Sequence, residues 1–239
     1  MYLHHGKTPI PVLFENEFCI VLNKPSGLSV QGGEGVKVSL DSILSENISP
    51  RPLLVHRLDR DTSGIILVAK TKTAAAGFST LLARTGVPLR VGKGVLKQYL
   101  GVCSGVPEHK QGVIKQKLDI RGSKKESETR YKLLSSAASQ LDGMEINFSL
   151  LELELGTGRM HQIRRHLART GNPVLGDDKY GDFSLNKKLR KAYGLNYLLL
   201  HASRLVIQPE PILVPEGLDI SAAPPEYFSG FMRIIALGR

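Results

Sequence analysis

Two short stretches of this chain carry residue types that could do chemistry. The first runs Val55, His56, Arg57, Leu58, Asp59, Arg60, Asp61, Thr62, Ser63, Gly64 and sets charged residues between two apolar runs, 53–55 and 65–69, that read as buried strands. Rigid elements on either side are expected to hold Asp59 near the interior. A carboxylate held there needs a cation or several donors, or desolvation neutralises it. Arg57 and Arg60 are close in sequence, but side chains one or two residues apart in an extended segment point in different directions. The partner is therefore expected from elsewhere in the chain.

The second stretch offers that partner. Residues 158–173, GRMHQIRRHLARTGNP, read as a helix stopped by Gly171 and Pro173. At roughly 100° per residue, Met160, Ile163 and Leu167 form one apolar face, with Arg164 inside it. His161, Gln162, Arg165, His166 and Arg169 spread over the other side, toward water or a polyanion. An inward guanidinium keeps its proton and must find a carboxylate or carbonyls. Asp59 is the expected mate of Arg164, at a contact distance of about 2.7–3.2 Å. Such a pair is structural, or it keeps a reactive carboxylate ionised, and both roles are compatible.

Patterning outlines the elements that must position these groups. Strands over 12–14 and 19–22 flank a turn, and 31–36 is a glycine-rich loop without a phosphate-cradling motif. A helix is expected over 72–84, a basic loop with Gly and Pro over 85–94, and a strand over 95–102. Two partly alternating strands, 129–134 and 145–155, are joined by a turn over 135–143. A strand over 197–207 and an amphipathic helix over 225–237 complete the chain. This order is strand-rich without regular strand-helix-strand repeats, so the fold class is α+β with a mostly antiparallel sheet. No repeat or linker marks a division, and a single domain over 1–239 is expected, with 1–11 as an extension.

Composition narrows the partners. Of 239 residues, 32 are Lys or Arg and 22 are Asp or Glu, a formal charge of +10 that favours a polyanion. Ten Lys or Arg and three Asp fall in 156–205, against two Arg and four acids in 206–239, so the basic charge gathers around the predicted helix. That is the footprint of phosphate contacts, which give affinity without reading sequence. The cluster at 187–191 (Lys187, Lys188, Leu189, Arg190, Lys191) either grips phosphates or is a solvated helix face. No apolar run reaches the roughly 20 residues of a bilayer span, and no secretory signal is expected. Cys19 and Cys103 are expected as free buried thiols of a cytoplasmic protein. His161 and His166 sit five apart on different helix faces, so no metal is expected.

In their order and separation, the run from His56 to Gly64 and the run Gly158, Arg159, Met160, His161, Gln162, Ile163, Arg164 resemble the two signature motifs of RluA-type RNA pseudouridine synthases. The resemblance also takes in Asn23-Lys24-Pro25-Ser26-Gly27-Leu28, Lys97-Gln98-Tyr99-Leu100, Leu175-Gly176-Asp177-Asp178-Lys179-Tyr180-Gly181 and Leu200-His201-Ala202-Ser203-Arg204-Leu205. It implies a central mixed sheet with helices and loops lining a cleft. It implies detachment of uracil from its ribose and rejoining through carbon-5, with no metal or cofactor. Asp59 matches the catalytic aspartate, Tyr99 the tyrosine placed to stack on uracil and proposed as proton acceptor, and Arg57 the side chain that enters the RNA helix where the target nucleotide is flipped out. Arg164 would keep Asp59 ionised. His56 and His161 are expected to orient loops, and Gln162, Arg165 and Arg169 to meet RNA. Met160 stands where a threonine is common, and Arg165 where a small apolar residue is common.

The expected substrate is large-subunit ribosomal RNA, toward which the motif details at 125–131 and 180–201 lean, with transfer RNA as the rival. A monomer is expected. About ten residues precede the first predicted strand, so the small RNA-binding module that many relatives carry is not expected. Two other classes compete: a non-catalytic RNA-binding or ribosome-assembly protein, against which Asp59, Tyr99 and Arg164 stand, and a nuclease using His161 and His166, which lacks a metal constellation.

Overall fold

A computed structural model describes residues 2–5, 8–83, 94–120 and 122–237. The chain forms two compact units, Met1–Lys97 with Ala202–Ala223, and Gln98–His201 with Pro224–Arg239. The basic loop expected over 85–94 lies, except for Gly94, outside the described residues.

In the first unit, β1 (Tyr2–His5), β2 (Thr8–Glu15), β3 (Cys19–Lys24) and β5 (Ser63–Ala69) pair in succession, each antiparallel to the next. The two-residue β4 (Leu53–Leu54) pairs with the end of β5, opposite the edge taken by β3. All seven residues of β5 are buried, as its unbroken apolar run requires of a strand covered on both faces. β4 is only half-buried, so the expectation of two buried runs holds for the second alone. α1 (Leu40–Asn47) starts at a reciprocal Ser39–Ser42 capping box, and α2 (Lys72–Leu82) starts where Thr71 Oγ1 accepts from Ala74 N at 3.1 Å. Alternate residues of the strands, Cys19 and Val21, Ile65 and Leu67, meet Ala74, Phe78 and Leu82 of α2 in one core. β10 (Leu200–Ile207) brings its later residues to this unit and pairs antiparallel with β11 (Leu218–Ser221).

β6 (Val95–Ser104) enters the second unit from Gln98 on, and there β6, β9 (Met144–Leu155), β8 (Ser123–Leu141) and β7 (Gln111–Ile120) pair antiparallel in that order, with α3 (Gln162–Arg169), α4 (Phe183–Tyr193) and α5 (Glu226–Ile234). Its core joins Val102, Phe148, Leu150, Leu185, Leu189, Phe228 and Phe231. The turn expected over 135–143 is a correction: β8 runs on to Leu141, and only Asp142 and Gly143, at φ 52° and 76°, make the turn. Asp-Gly is the strongest two-residue hairpin signal. The Ser- and Ala-rich run ahead of it hides the alternation, because those side chains separate a half-buried face from an exposed one with little change in polarity. β7 was hidden similarly, since only Ile114 and Leu118 are buried among its polar residues.

At the start of β5, Gly64 has φ +110°, and a Cβ there would stand 2.2 Å from the Ala202 carbonyl oxygen. Gly27 also has positive φ, +83°, but open space around it. Gly64→Ala is therefore expected to destabilise by about 3 kcal/mol or more, and Gly27→Ala by about 1–2 kcal/mol from backbone strain alone. Urea unfolding of both variants checks the ranking, and equal losses would contradict it.

Candidate active site residues

The turn that carries Asp59 is built around a buried lysine. Lys24, at the end of β3, is fully buried, and its Nζ donates to the carbonyls of Pro25, Leu28 and Arg60, each at 2.9 Å. Burial pushes its amine down, to about 7, against the opposing pull of Asp61 and Asp59. Gly27 N also donates to the Arg60 carbonyl, Ser26 Oγ donates to that of Asp61, and Thr62 N closes the turn on the carbonyl of Asp59. The backbone just after Asp59 is thus held by the 24–28 loop. Leu58 is buried, Asp59 half-buried, and Arg57 and Arg60 exposed. Thr62 Oγ1 is buried without a hydrogen-bond partner among the described residues.

His56 orients this turn. Its Nε2 accepts from Leu67 N in β5 at 2.9 Å, which requires an unprotonated nitrogen there. Burial, reinforced by the charge of Lys97, pushes the imidazole down to about 3.

Arg164, from α3, is 7% exposed and forms a fork with Asp177, which is 1% exposed: Nε to Oδ2 at 2.8 Å and Nη2 to Oδ1 at 2.7 Å. Oδ1 also accepts from the backbone amides of Lys179 and Tyr180, at 2.9 and 3.0 Å. Burial raises the Asp177 carboxyl, but the Arg164 bond, the Tyr180 amide and the Lys179 amide together hold it below the usual carboxylate value. The Tyr180 ring lies 5.3 Å from the Arg164 guanidinium, and its hydroxyl lies 3.0 Å from His161 Nδ1. The inward placement of Arg164 is as expected. Asp177 as its partner was not anticipated, although its motif had been singled out.

Three placements on α3 are corrected. The helix begins at Gln162, after His161 in the left-handed region (φ 52°), so Met160 precedes it and is exposed rather than part of the apolar face. Gln162 and His166 are buried, not outward. Gln162 Oε1 accepts from Thr157 Oγ1 and Arg159 N, and its Nε2 donates to the Glu128 carbonyl and Thr129 Oγ1. His166 lies between Ser127 Oγ (2.8 Å) and Thr129 Oγ1 (3.0 Å) of β8. The physical reason is β8, which covers the polar side of α3 with hydroxyls and carbonyls that helical periodicity cannot reveal. His161 is half-buried. Arg165 is half-buried and donates to the Asp119 carbonyl, while Arg169 is exposed and reaches Gln116 Oε1 at 3.2 Å.

Tyr99, 7% exposed, stands opposite Leu153 in the β6–β9 pair. The 187–191 cluster lies on α4, where Lys187, Arg190 and Lys191 are exposed and Lys188 half-buried. Cys19 and Cys103 are free and buried, and burial pushes both thiols up, Cys19 to about 12. Among the described residues no cluster of His, Cys, Asp or Glu could hold a metal, and no helix is long and apolar enough to cross a membrane.

The sequence profile of the family described as RNA pseudouridylate synthase matches residues 18–169. The chain belongs to that family. It is 38% identical over 205 residues to the ribosomal large subunit pseudouridine synthase C of Haemophilus influenzae, covering 80% of this chain and 58% of that protein. For the protein of the same name from Escherichia coli K12 the figures are 36% over 209 residues, 81% and 60%; for that of Rickettsia bellii they are 32% over 232 residues, 91% and 69%. The chain thus spans less than two thirds of the first two. The solved structure of human RNA Pseudouridylate Synthase Domain Containing 4 superposes with a TM-score of 0.72 at 25% identity, covering 95% of this chain and 94% of that one. The α+β fold is therefore that of the pseudouridylate synthase domain.

His56 and His166 are both held neutral, the latter pushed down to about 4 by burial and then by Arg169 and Arg165. A histidine whose folded value lies below its unfolded one, about 6.5, lends stability that is full above that pH and lost as pH falls toward the folded value. Unfolding free energy is expected to drop from about pH 6.5 down to about 4 for His166 and about 3 for His56, by up to about 1.4 kcal/mol per pH unit for each. His166→Gln should flatten this slope by about one proton, read from urea midpoints at several pH values. An unchanged slope would contradict a neutral His166.

Proposed function

We propose that this chain is an RNA pseudouridine synthase that isomerises uridines in large-subunit ribosomal RNA, with Asp59 as its catalytic aspartate. The observation that carries the reading is the match of this chain to proteins named as ribosomal large subunit pseudouridine synthases, with the Asp59 motif intact. The reaction breaks the bond between uracil and ribose, turns the base and rejoins it through carbon-5, so it loses no group and needs no redox partner. It requires a nucleophile or charge stabiliser, which Asp59 supplies, and an acceptor for the carbon-5 proton. Tyr99 is the residue proposed to stack on the uracil and to take that proton. Arg164 keeps the aspartate ionised, and Arg57, exposed beside Asp59, enters the RNA where the target nucleotide has been flipped out.

The two units act together as one catalytic domain, a reading supported by a family match that begins in the first and ends in the second. The protein works as a cytoplasmic monomer without metal or cofactor. Arg165, Arg169 and the α4 cluster meet phosphates, and His161 and Gln162 shape the RNA-facing start of α3.

Mapping pseudouridine in total RNA from cells with and without this protein tests activity and substrate together. Loss of sites in large-subunit ribosomal RNA is expected; loss in transfer RNA instead moves the substrate there, and no change in either excludes the activity. Asp59→Asn should leave a folded protein that binds RNA but makes no pseudouridine, because the amide keeps the shape and loses the charge. Substantial residual turnover by this variant excludes Asp59. Arg169→Ala should weaken RNA binding for all sequences alike and reduce the slope of log affinity against log salt by about one, measured by filter binding over a salt series.

A further inference from the structure

We infer that Asp177 is a positioning residue for the proposed reaction, which fixes the Arg164 guanidinium in the one orientation from which it serves catalysis; the inference rests on the pseudouridine synthase reading. Arg164 could be held by a single bond and still be neutralised. It is instead held by a two-bond fork through Nε and Nη2, which sets the plane of the guanidinium and so the direction in which Nη1, outside the fork, points. Asp177 is itself fixed. Its Oδ1 takes the amides of Lys179 and Tyr180, and its carbonyl takes Gly181 N and Nδ2 of the buried Asn186 on α4. Asn186 Oδ1 in turn accepts from Gly176 N at 3.0 Å.

The loop has little room to shift. A Cβ on Gly176 would stand 2.0 Å from the Tyr197 carbonyl oxygen, and one on Gly181 would stand 2.3 Å from that of Asp177. Tyr180 closes over the guanidinium from the same loop. α4 therefore holds the loop, the loop holds Asp177, and Asp177 holds Arg164. A buried ion pair is weak evidence for stability, since apolar residues of similar volume often serve as well. A fork so thoroughly anchored makes sense where the direction of a donor matters. It also balances the arginine's charge, so what Arg164 presents is a hydrogen bond of fixed direction more than a bare cation.

Asp177→Asn separates these roles. The amide oxygen can still accept from Lys179 N and Tyr180 N, so the turn survives, while the amide nitrogen opposes Arg164 Nε and opens the fork. The single-turnover rate of pseudouridine formation on ribosomal RNA is expected to fall on the order of a hundredfold, the effect of misplacing a group by about 1 Å, with RNA affinity unchanged. In an Arg164→Met background, Asp177→Asn should cause no further loss, because both act through one guanidinium. Should Asp177→Asn fail to fold, Asp177→Glu keeps the charge pair and shifts the fork by a methylene, and the same fall in rate without loss of affinity is expected. A folded Asp177 variant with full rate, or losses that multiply in the Arg164→Met background, overturns the inference. An inactive wild-type protein overturns the functional reading itself, and the inference with it.

Discussion

The ammonium of Lys24 lies fully inside the first unit and takes three backbone carbonyls, those of Pro25, Leu28 and Arg60. Stripping a cation of water costs several kcal/mol unless its protons are satisfied. Three acceptors match the three protons of the charged form, whereas a neutral amine has only two to give. The arrangement is therefore stable only while the 24–28 loop and the turn after Asp59 lie together. Gly27 N and Ser26 Oγ reinforce the same union. One buried lysine thus joins two segments far apart in sequence, and one of them is the segment carrying Asp59.

The second unit repeats the constraint with a different solution. Arg164 cannot shed its proton, so its burial demands acceptors, and Asp177 supplies two with both of its oxygens. Both halves of this solution come from short segments, the start of α3 and the loop before α4. The Tyr180 hydroxyl near His161 Nδ1 ties the two segments together once more. The left-handed backbone at His161, sparsely populated for a residue with a Cβ, is kept where these bonds over-determine it.

How much of this was legible in the sequence differs from residue to residue. That Arg164 points inward followed from helical periodicity alone, and β3, β5 and α2 from apolar patterning and punctuation. The family followed from long motifs in a fixed order. Lys24 was legible only as part of a motif: a lysine at the end of an apolar strand reads as exposed, and its three acceptors are carbonyls, which leave no trace in side-chain pattern. Asp177 was hidden for another reason. Nothing in the pattern ranks one carboxylate above another as partner for an arginine, and the loop that delivers it is shaped by Gly176, pressed against the Tyr197 carbonyl, and by Gly181, pressed against the carbonyl of Asp177 itself. The length of β8 is not legible because Ser and Ala do not mark faces, whereas Asp142-Gly143 is the turn signal that ends it.

The burial of Gln162 and His166 shows how polar residues on a basic helix can be interior. Between them they use Ser127 and Thr129 of β8, the Glu128 carbonyl and Thr157. Apolar side chains of the same size could bury equal area, but they would tolerate a helix turned or slid by a fraction of a residue. Hydrogen bonds do not, because an amide or imidazole displaced by an ångström leaves a buried group unsatisfied, at about 1–3 kcal/mol each. This network therefore holds α3 to β8 in one register, and through it fixes where the first turn of the helix presents Arg164.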